Sequence, residues 1–489
     1  MRNHLSQIIL FLLFCPIAFS QQAETVESLV EYVTISSSDL PVHPEFTRKQ
    51  EDLYKEHHLE KVKSEIALLK EDALIINGPV YAYVNQIFRK IIENNPSISQ
   101  TSKLVLYRTN SFNAFTMGDD VVFFHVGILA DLKSESEIAL VLAHELAHNF
   151  LGHVEQAITA TVLLETDEEL NEELKAAVHQ DYGQVTALNK VMIPRILESK
   201  ATSQKHEFEA DSLGAVYCKN AGFSLEKGIA MFRAMDYHGS ANSEPLDLHE
   251  LPEEFQALFA KKTANYSRIG SLGTFENNDE LEPYLRSHPY DKDRYYKLAS
   301  QYGITDSLET ISRQPDSVFN TIHPEILDLA IEISFEERSF TETIFLEIGN
   351  YAKYGDQPEY RTELSSLFSV LAFLKERRRA GSLLLLQNPK RPEDFDRFCC
   401  FAQSISPAEC TAIAAIFAPK PSMTDANLND LQQLVVMIDL AKSEKKEDLK
   451  LYWQVNVANI NAGKYSWLLG ELEDYLYRIK GYTFVKIEK

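Results

Sequence analysis

A chain of 489 residues with 45% hydrophobic and 25% charged side chains has the composition of a globular protein of two or three domains, which excludes disordered and fibrous classes. Its formal net charge of -24 repels phosphate backbones, so nucleic acid is excluded as a partner class and cationic partners are favoured. Residues 1–20 read as a secretory signal peptide. Arg2 gives the positive start, Ile8 to Phe19 the apolar run, and Ala18-Phe19-Ser20 a small-x-small cleavage site before Gln21. The run is shorter than the about 20 residues of a membrane span, and Phe14 before Cys15 does not suit lipid attachment. The expectation is export across the inner membrane to a periplasmic or extracellular location, with no transmembrane span in the mature chain. Export permits disulfides. Cleavage leaves Cys218, Cys399, Cys400 and Cys410, with no Cys-x-x-Cys pair among them. They are expected to be small core residues, with at most one bridge, involving Cys410.

Residues 21–45 read as a polar leader without clear periodicity. Residues 46–95 read as helices, with Leu53, His57, Val62, Ile66 and Leu69 near helical spacing and Tyr81, Val84, Ile87, Ile91 and Ile92 repeating the pattern. Lys103 to Tyr107 is a strand candidate. Asn113 to Met117 follows, then a turn at Gly118-Asp119-Asp120 and the β-rich run Val121 to His125, together expected to form a small antiparallel sheet. Ser134-x-x-Glu137 forms a capping box ahead of an apolar helix that continues past Val154 toward Leu164. Glu165 to Glu173 is read as a solvated acidic face. A further helix is expected from near His206 to Gly222, a C′ glycine, and another from Ser224 through Met235. From about residue 305 the pattern becomes amphipathic helices broken by prolines, without a 34-residue repeat. Lys375-Glu376-Arg377-Arg378-Arg379, just before Gly381, is read as a helix C-terminus complementing the macrodipole.

The chemistry is concentrated at His144-Glu145-Leu146-Ala147-His148. Two histidines four apart on a helix project from one face. Such a pair can chelate zinc at about 2.0–2.1 Å per bond. Glu145 is placed to take a proton from an activated water and pass it to a leaving amine. The motif sits among Leu140, Val141, Leu142, Ala147 and Phe150, where polar side chains are costly without partners. A catalytic zinc needs a third protein ligand. His153 lies five residues after His148 and, on a continuing helix, points away from it, so it is read as an ordinary polar or core histidine. Glu207 and Asp211, four apart in His206-Glu207-Phe208-Glu209-Ala210-Asp211, share a helix face. They read either as a zinc ligand with a carboxylate that orients a ligand histidine, or as an acidic helix start. Glu209 is read as solvent-facing.

Taken together, Asn113-Ala114-Phe115, His125 to Leu129, the motif at 144–148, Glu207 to Asp211, Arg286-Ser287-His288-Pro289 and Asp293-Arg294 resemble the HtpX-, BepA- and CAAX-prenyl-protease-like zinc metallopeptidases, over roughly residues 60 to 300. The resemblance implies one catalytic Zn2+ held by His144, His148 and Glu207, with Glu145 as base and Asp211 behind a ligand. It implies that His288 either occludes the zinc or stabilises the oxyanion, and that Arg294 positions His288 or substrate. It also implies that Val121, Val122, Phe123 and Phe124 form the edge on which an extended substrate pairs. The fold implied is α+β: a mainly helical zincin-type peptidase domain at 46–305 with a small antiparallel sheet, then an all-α C-terminal domain at 306–489. Thr202-Ser203-Gln204-Lys205 departs from the family's serine-arginine pair, and the Gly-Asp-Asp turn is more acidic than usual. The membrane spans of some relatives are missing, which favours the soluble exported branch.

The expected function is metalloendopeptidase cleavage of misfolded or misassembled exported proteins in envelope quality control, with outer-membrane assembly partners. The alternative is a zinc-containing chaperone or binding protein with an occluded, weakly active site.

Overall fold

A short parallel pairing organises the N-terminal half. In the computed structural model, strand β1 (Leu74–Ile75) runs antiparallel to β2 (Lys103–Tyr107), β2 runs parallel to β4 (Val121–His125), and β3 (Ala114–Thr116) closes the other side antiparallel to β4. The structure describes residues 24–38, 40–41, 43–179, 184–239, 248–264, 266, 291–308, 310–313, 316–355, 357–377, 393–460, 462–482 and 484. The expected signal peptide therefore lies outside the described residues. The sheet is mixed rather than purely antiparallel. The run Val121–His125 is not its edge but an interior strand, paired on both sides and buried at all five positions. Five consecutive apolar or aromatic residues suit a strand covered on both faces. Among the described residues the two edges of the sheet fall to β1 and β3.

Helices α1 (Val26–Ser36) and α2 (Arg48–Leu69) pack beneath the sheet. The expected polar leader thus contains a helix, with a Thr25/Ser28 capping box and buried Leu29 and Val33 against Val105 and Phe123. Its short apolar face is too sparse to register as periodicity. The acidic turn after β3 is structural: Asp119 pairs with Lys61 Nζ of α2 at 2.5 Å and accepts from Ser37 Oγ at 2.8 Å, and Asp120 takes a left-handed φ of 60°. Carboxylates here tie the first two helices to the hairpin.

Helix α3 (Gly78–Glu93) covers the other side, and α4 (Val126–Asp131) starts directly from β4. Gly127 is required at that junction, because a Cβ there would lie 2.3 Å from the Asn110 carbonyl oxygen. The motif helix α5 (Glu135–Leu151) is capped by Ser134, which accepts from the Glu137 amide. Glu137 does not return the bond as the box expected; its carboxylate instead holds Arg313 and the Lys133 amide. Helix α6 (His153–Glu165) and α7 (Glu168–Val178) lead to α8 (Gln184–Asn220). Helix α8 begins more than twenty residues before the expected start. It runs through Pro194 because its first half lies along α7, a tertiary contact invisible to local pattern. Gly222, at φ 76°, terminates it as expected. The expected single helix from Ser224 splits into α9 (Leu225–Gly228) and α10 (Met231–Gly239).

Two apolar cores result. One joins α3, the sheet, α5 and α8 with Tyr295 and Leu298 of α12 (Asp291–Tyr302), which follows α11 (Glu253–Thr263) in the chain. The other is built by Phe255 and Phe259 of α11 together with α14 (Phe340–Tyr354), α15 (Pro358–Glu376), α16 (Glu393–Ser404), α17 (Pro407–Phe417), α18 (Asp430–Lys442), α19 (Lys446–Asn456) and α20 (Ala462–Asp474). Helix α13 (Ser317–Glu336) belongs to both, giving Phe319 and Ile326 to the first and Phe335 to the second. No single helix among the described residues is long and apolar enough to cross a membrane. Cys218, Cys399 and Cys410 are buried, and the four cysteines among the described residues are free, so the bridge allowed for Cys410 does not form among them. Arg377 caps α15 and pairs with Glu471 and Asp474, which is the helix-end role expected of the basic run; Arg378 and Arg379 lie outside the described residues.

Glu65 of α2 is wholly buried beside the Lys61–Asp119 pair; burial first and Asp119 second push its carboxyl up to about 9. Its folded-state value lies above the unfolded one, so its contribution is fully present below pH 4.5 and is lost as pH rises toward 9. Glu65→Gln removes that loss. It is expected to stabilise the protein by on the order of 5 kcal/mol at pH 8 and to leave it unchanged near pH 4, as read by thermal unfolding at the two pH values.

Candidate metal centre

Helices α5 and α8 bring the site together because their backbones nearly touch. A Cβ at Gly214 would lie 3.0 Å from the His144 amide nitrogen and 3.1 Å from the Ala143 carbonyl carbon, so only glycine permits this approach without displacement. One and two turns earlier on α8, Asp211 and Glu207 face His144 and His148. His144 Nε2 and His148 Nε2 are 3.0 Å apart, and each lies 3.6 Å from an oxygen of Glu207. Three donors that share a tetrahedral ion with bonds of about 2.0–2.1 Å are separated by about 3.3–3.4 Å. The triangle formed by His144, His148 and Glu207 fits that requirement. Glu145, buried in the same turn of α5, adjoins it.

The outer atoms are held as closely as the inner ones. His144 Nδ1 lies 3.0 Å from Asp211 Oδ1. Asp211 in turn accepts from Arg294 of α12 through two bonds, at 2.8 Å from Nε and 2.7 Å from Nη2. Arg294 Nη1 reaches Glu207 Oε2 at 3.3 Å, and the guanidinium is only 3% exposed. Among the described residues the Arg294 guanidinium is engaged by two carboxylates, Asp211 and Glu207. His288 and the rest of Arg286 to Pro289 lie outside the described residues.

Electrostatics follow from burial and pairing. Burial opposes the charge on Asp211, but Arg294 and then His144 hold its carboxyl down to about 2. Burial likewise opposes a charged His144, yet Asp211 and Glu207 push it up to about 10. Burial, then repulsion from His144, drives His148 down to about 2. Without a metal, a single proton resides on the pair and on His144. A divalent cation substitutes for that proton and leaves both rings neutral donors.

His153 departs from the expectation. Gly152 adopts φ 64° and ends α5, so the chain turns and α6 begins at His153. The reversal returns the His153 ring to the site, with Nδ1 2.9 Å from His148 Nδ1. The signal was Gly152 itself, a C-terminal glycine read as part of a continuous helix. Glu209 is partly exposed as expected, with Lys205 3.4 Å away and His153 3.5 Å away. Gly214 was not singled out in the sequence, because a lone glycine in a helix carries no mark of the neighbour it admits.

The model of peptidase family M48 matches residues 81–301, the segment that carries every described member of the cluster. The chain carries a peptidase family M48 domain. The beta-barrel assembly-enhancing protease of Escherichia coli is 26% identical over 211 residues, covering 41% of this chain and 42% of that protein. The protein of the same name from Yersinia pestis is 21% identical over 397 residues, covering 73% of this chain and 80% of its own. The mitochondrial metalloendopeptidase OMA1 of Schizosaccharomyces pombe is 30% identical over 215 residues, covering 42% and 58%. The chain spans about half the length of the first curated relatives it matches. The matched segment therefore contains strands β2, β3 and β4, α5, all of α8 and α12 up to Gln301.

Gly214→Ala tests the close approach of α5 and α8 in the M48 domain. Overpacking of about 1–3 kcal/mol outweighs the about 1 kcal/mol that alanine gains in a helix. The expected result is a lower melting temperature together with weaker metal binding in a chelator competition. Unchanged values for both would show that the two backbones do not meet as described.

Proposed function

We propose that this chain is a zinc-dependent metalloendopeptidase that cleaves internal peptide bonds of exported proteins. The observation that carries the proposal is the convergence of His144, His148 and Glu207 beside Glu145 within an M48 domain. His144, His148 and Glu207 would hold the ion. Zinc bound there supplies a Lewis acid that polarises the scissile carbonyl and makes water acidic enough to attack it. Glu145 takes the proton from the attacking water and delivers it to the departing amine. Arg294 and Asp211 keep Glu207 and His144 in place throughout, so their contribution is geometric.

The exposed edge of β3 is the surface on which an extended substrate would add a strand. It lies against α5, where Thr116 Oγ1 donates to Asn149 Oδ1, one residue past His148. Main-chain pairing there tolerates many sequences, which suits a peptidase acting on misfolded or misassembled chains. The signal-like N-terminus and the relatives named beta-barrel assembly-enhancing protease support a periplasmic site of action and partners in outer-membrane assembly. We assign residues 46–305 to the peptidase domain and 306–489 to a helical domain that handles substrates or partners.

The test is zinc content and casein hydrolysis measured in parallel. Wild type and Glu145→Gln should each bind zinc, with hydrolysis falling by at least about 10²-fold in the variant. Absence of zinc from both would sink the proposed site. Zinc in both with no hydrolysis in either would favour a chaperone with an occluded site. His288→Ala then separates the two roles open to that residue: turnover rises if His288 occludes the ion and falls if it stabilises the oxyanion.

A further inference from the structure

The two ligand histidines are not supported alike. His144 has a carboxylate behind it, Asp211, whereas the atom behind His148 is another imidazole nitrogen, His153 Nδ1 at 2.9 Å. A hydrogen bond between two ring nitrogens carries one proton, and the chemistry of the pair decides which nitrogen has it. His148 directs Nε2 at His144 and Glu207. When Nε2 is used as a donor to a cation, the ring proton must sit on Nδ1. His153 Nδ1 is then the acceptor, and the proton of His153 sits on its own Nε2.

The surroundings of His153 match that tautomer. The residue is only 4% exposed. Its buried Nε2 has no hydrogen-bond partner among the described residues and lies 3.5 Å from Glu209 Oε2, a carboxylate that attracts an N–H without forming a bond of good geometry. The His206 ring stacks on His153 at 4.1 Å and 9°, shielding one face from water. The His148 and His153 rings meet edge to face at 4.8 Å and 77°, as an in-plane N–H pointing at a lone pair requires.

We propose that His153 is a positioning residue for the metal site: it accepts the Nδ1–H of His148, fixes that ring's tautomer and orientation, and does for His148 what Asp211 does for His144. This rests on the metal-site reading above. His153, His206 and Glu209 also offer three donors close enough to share a second cation. The shared proton argues against that use. A cation on His153 Nε2 would put N–H groups on both facing Nδ1 atoms, or force one ring to become an imidazolate.

The test uses the full mature chain with zinc alone, titrated against a chromophoric chelator, and does not depend on turnover. Wild type should bind one ion. His153→Ala should bind it about 10–100-fold more weakly, the usual effect of losing a partner behind a ligand. His153→Gln, whose amide oxygen can accept the same N–H, should recover most of that loss. His206→Ala should stay within about twofold of wild type, since the stacked ring makes no bond to His148. Circular dichroism of the metal-free forms separates misfolding from a local defect, and His153→Gln keeps the test open if the alanine variant is unstable. Equal affinity in wild type and His153→Ala would overturn the proposal. So would two ions in wild type reduced to one by His206→Ala, which would assign the cluster to a second cation. No zinc in wild type would instead remove the metal-site reading on which the proposal stands.

Discussion

The site depends on the contact between α5 and α8 at Gly214. Where the two backbones approach this closely, residues one and two turns away on α8 are delivered to the histidines of α5 at bonding distance. The contact would be useless if the delivered carboxylates repelled one another. Arg294 resolves this by taking Asp211 through a two-bond fork and Glu207 through a third nitrogen. A buried guanidinium is costly unless every charge is matched, and here two carboxylates match it. Three helices far apart in sequence are thereby locked by one ionic unit, and the donor triangle is set before any ion arrives.

Preorganisation has an electrostatic counterpart. Two imidazoles whose Nε2 atoms are 3.0 Å apart cannot both be protonated: burial and repulsion from His144 drive His148 far below its usual value, while Asp211 and Glu207 hold His144 far above. The histidine pair holds a single proton, beside an Asp211 carboxylate kept ionised by Arg294. That arrangement attracts a small cation and penalises its absence, which is how a cavity of fixed shape acquires selectivity for charge.

Much of the site was legible in the sequence because its parts obey helical spacing: four residues between His144 and His148, four between Glu207 and Asp211. The strand at Lys103–Tyr107, the Ser134 cap and the glycine stop at Gly222 were legible for the same reason, since each is a local rule. What escaped depended on partners distant in sequence. The interior place of Val121–His125 follows from a parallel pairing with β2 that no local pattern announces. The first half of α8 is helical because α7 lies along it. His153 was read as pointing away because one glycine, Gly152, was taken as part of a helix it ends. A single left-handed residue turned a bystander into a neighbour of His148.

Helix α13 bears on how far the M48 segment is a separable object. Its first half supplies Phe319 and Ile326 to the core under the motif helix, and its last turn supplies Phe335, whose carbonyl accepts from Trp467 of α20. Glu332 and Glu336 reach back to Arg108, and the Ala330 carbonyl accepts from Asn110, in the loop that leads into β3. The matched family segment ends at residue 301, before any of this helix. Excised there, the catalytic half would have an open seam in its core and a loosened loop beside its free strand. The boundary at which evolution recognises a module and the boundary at which the polypeptide becomes autonomous are different places in this chain, separated by the length of one shared helix.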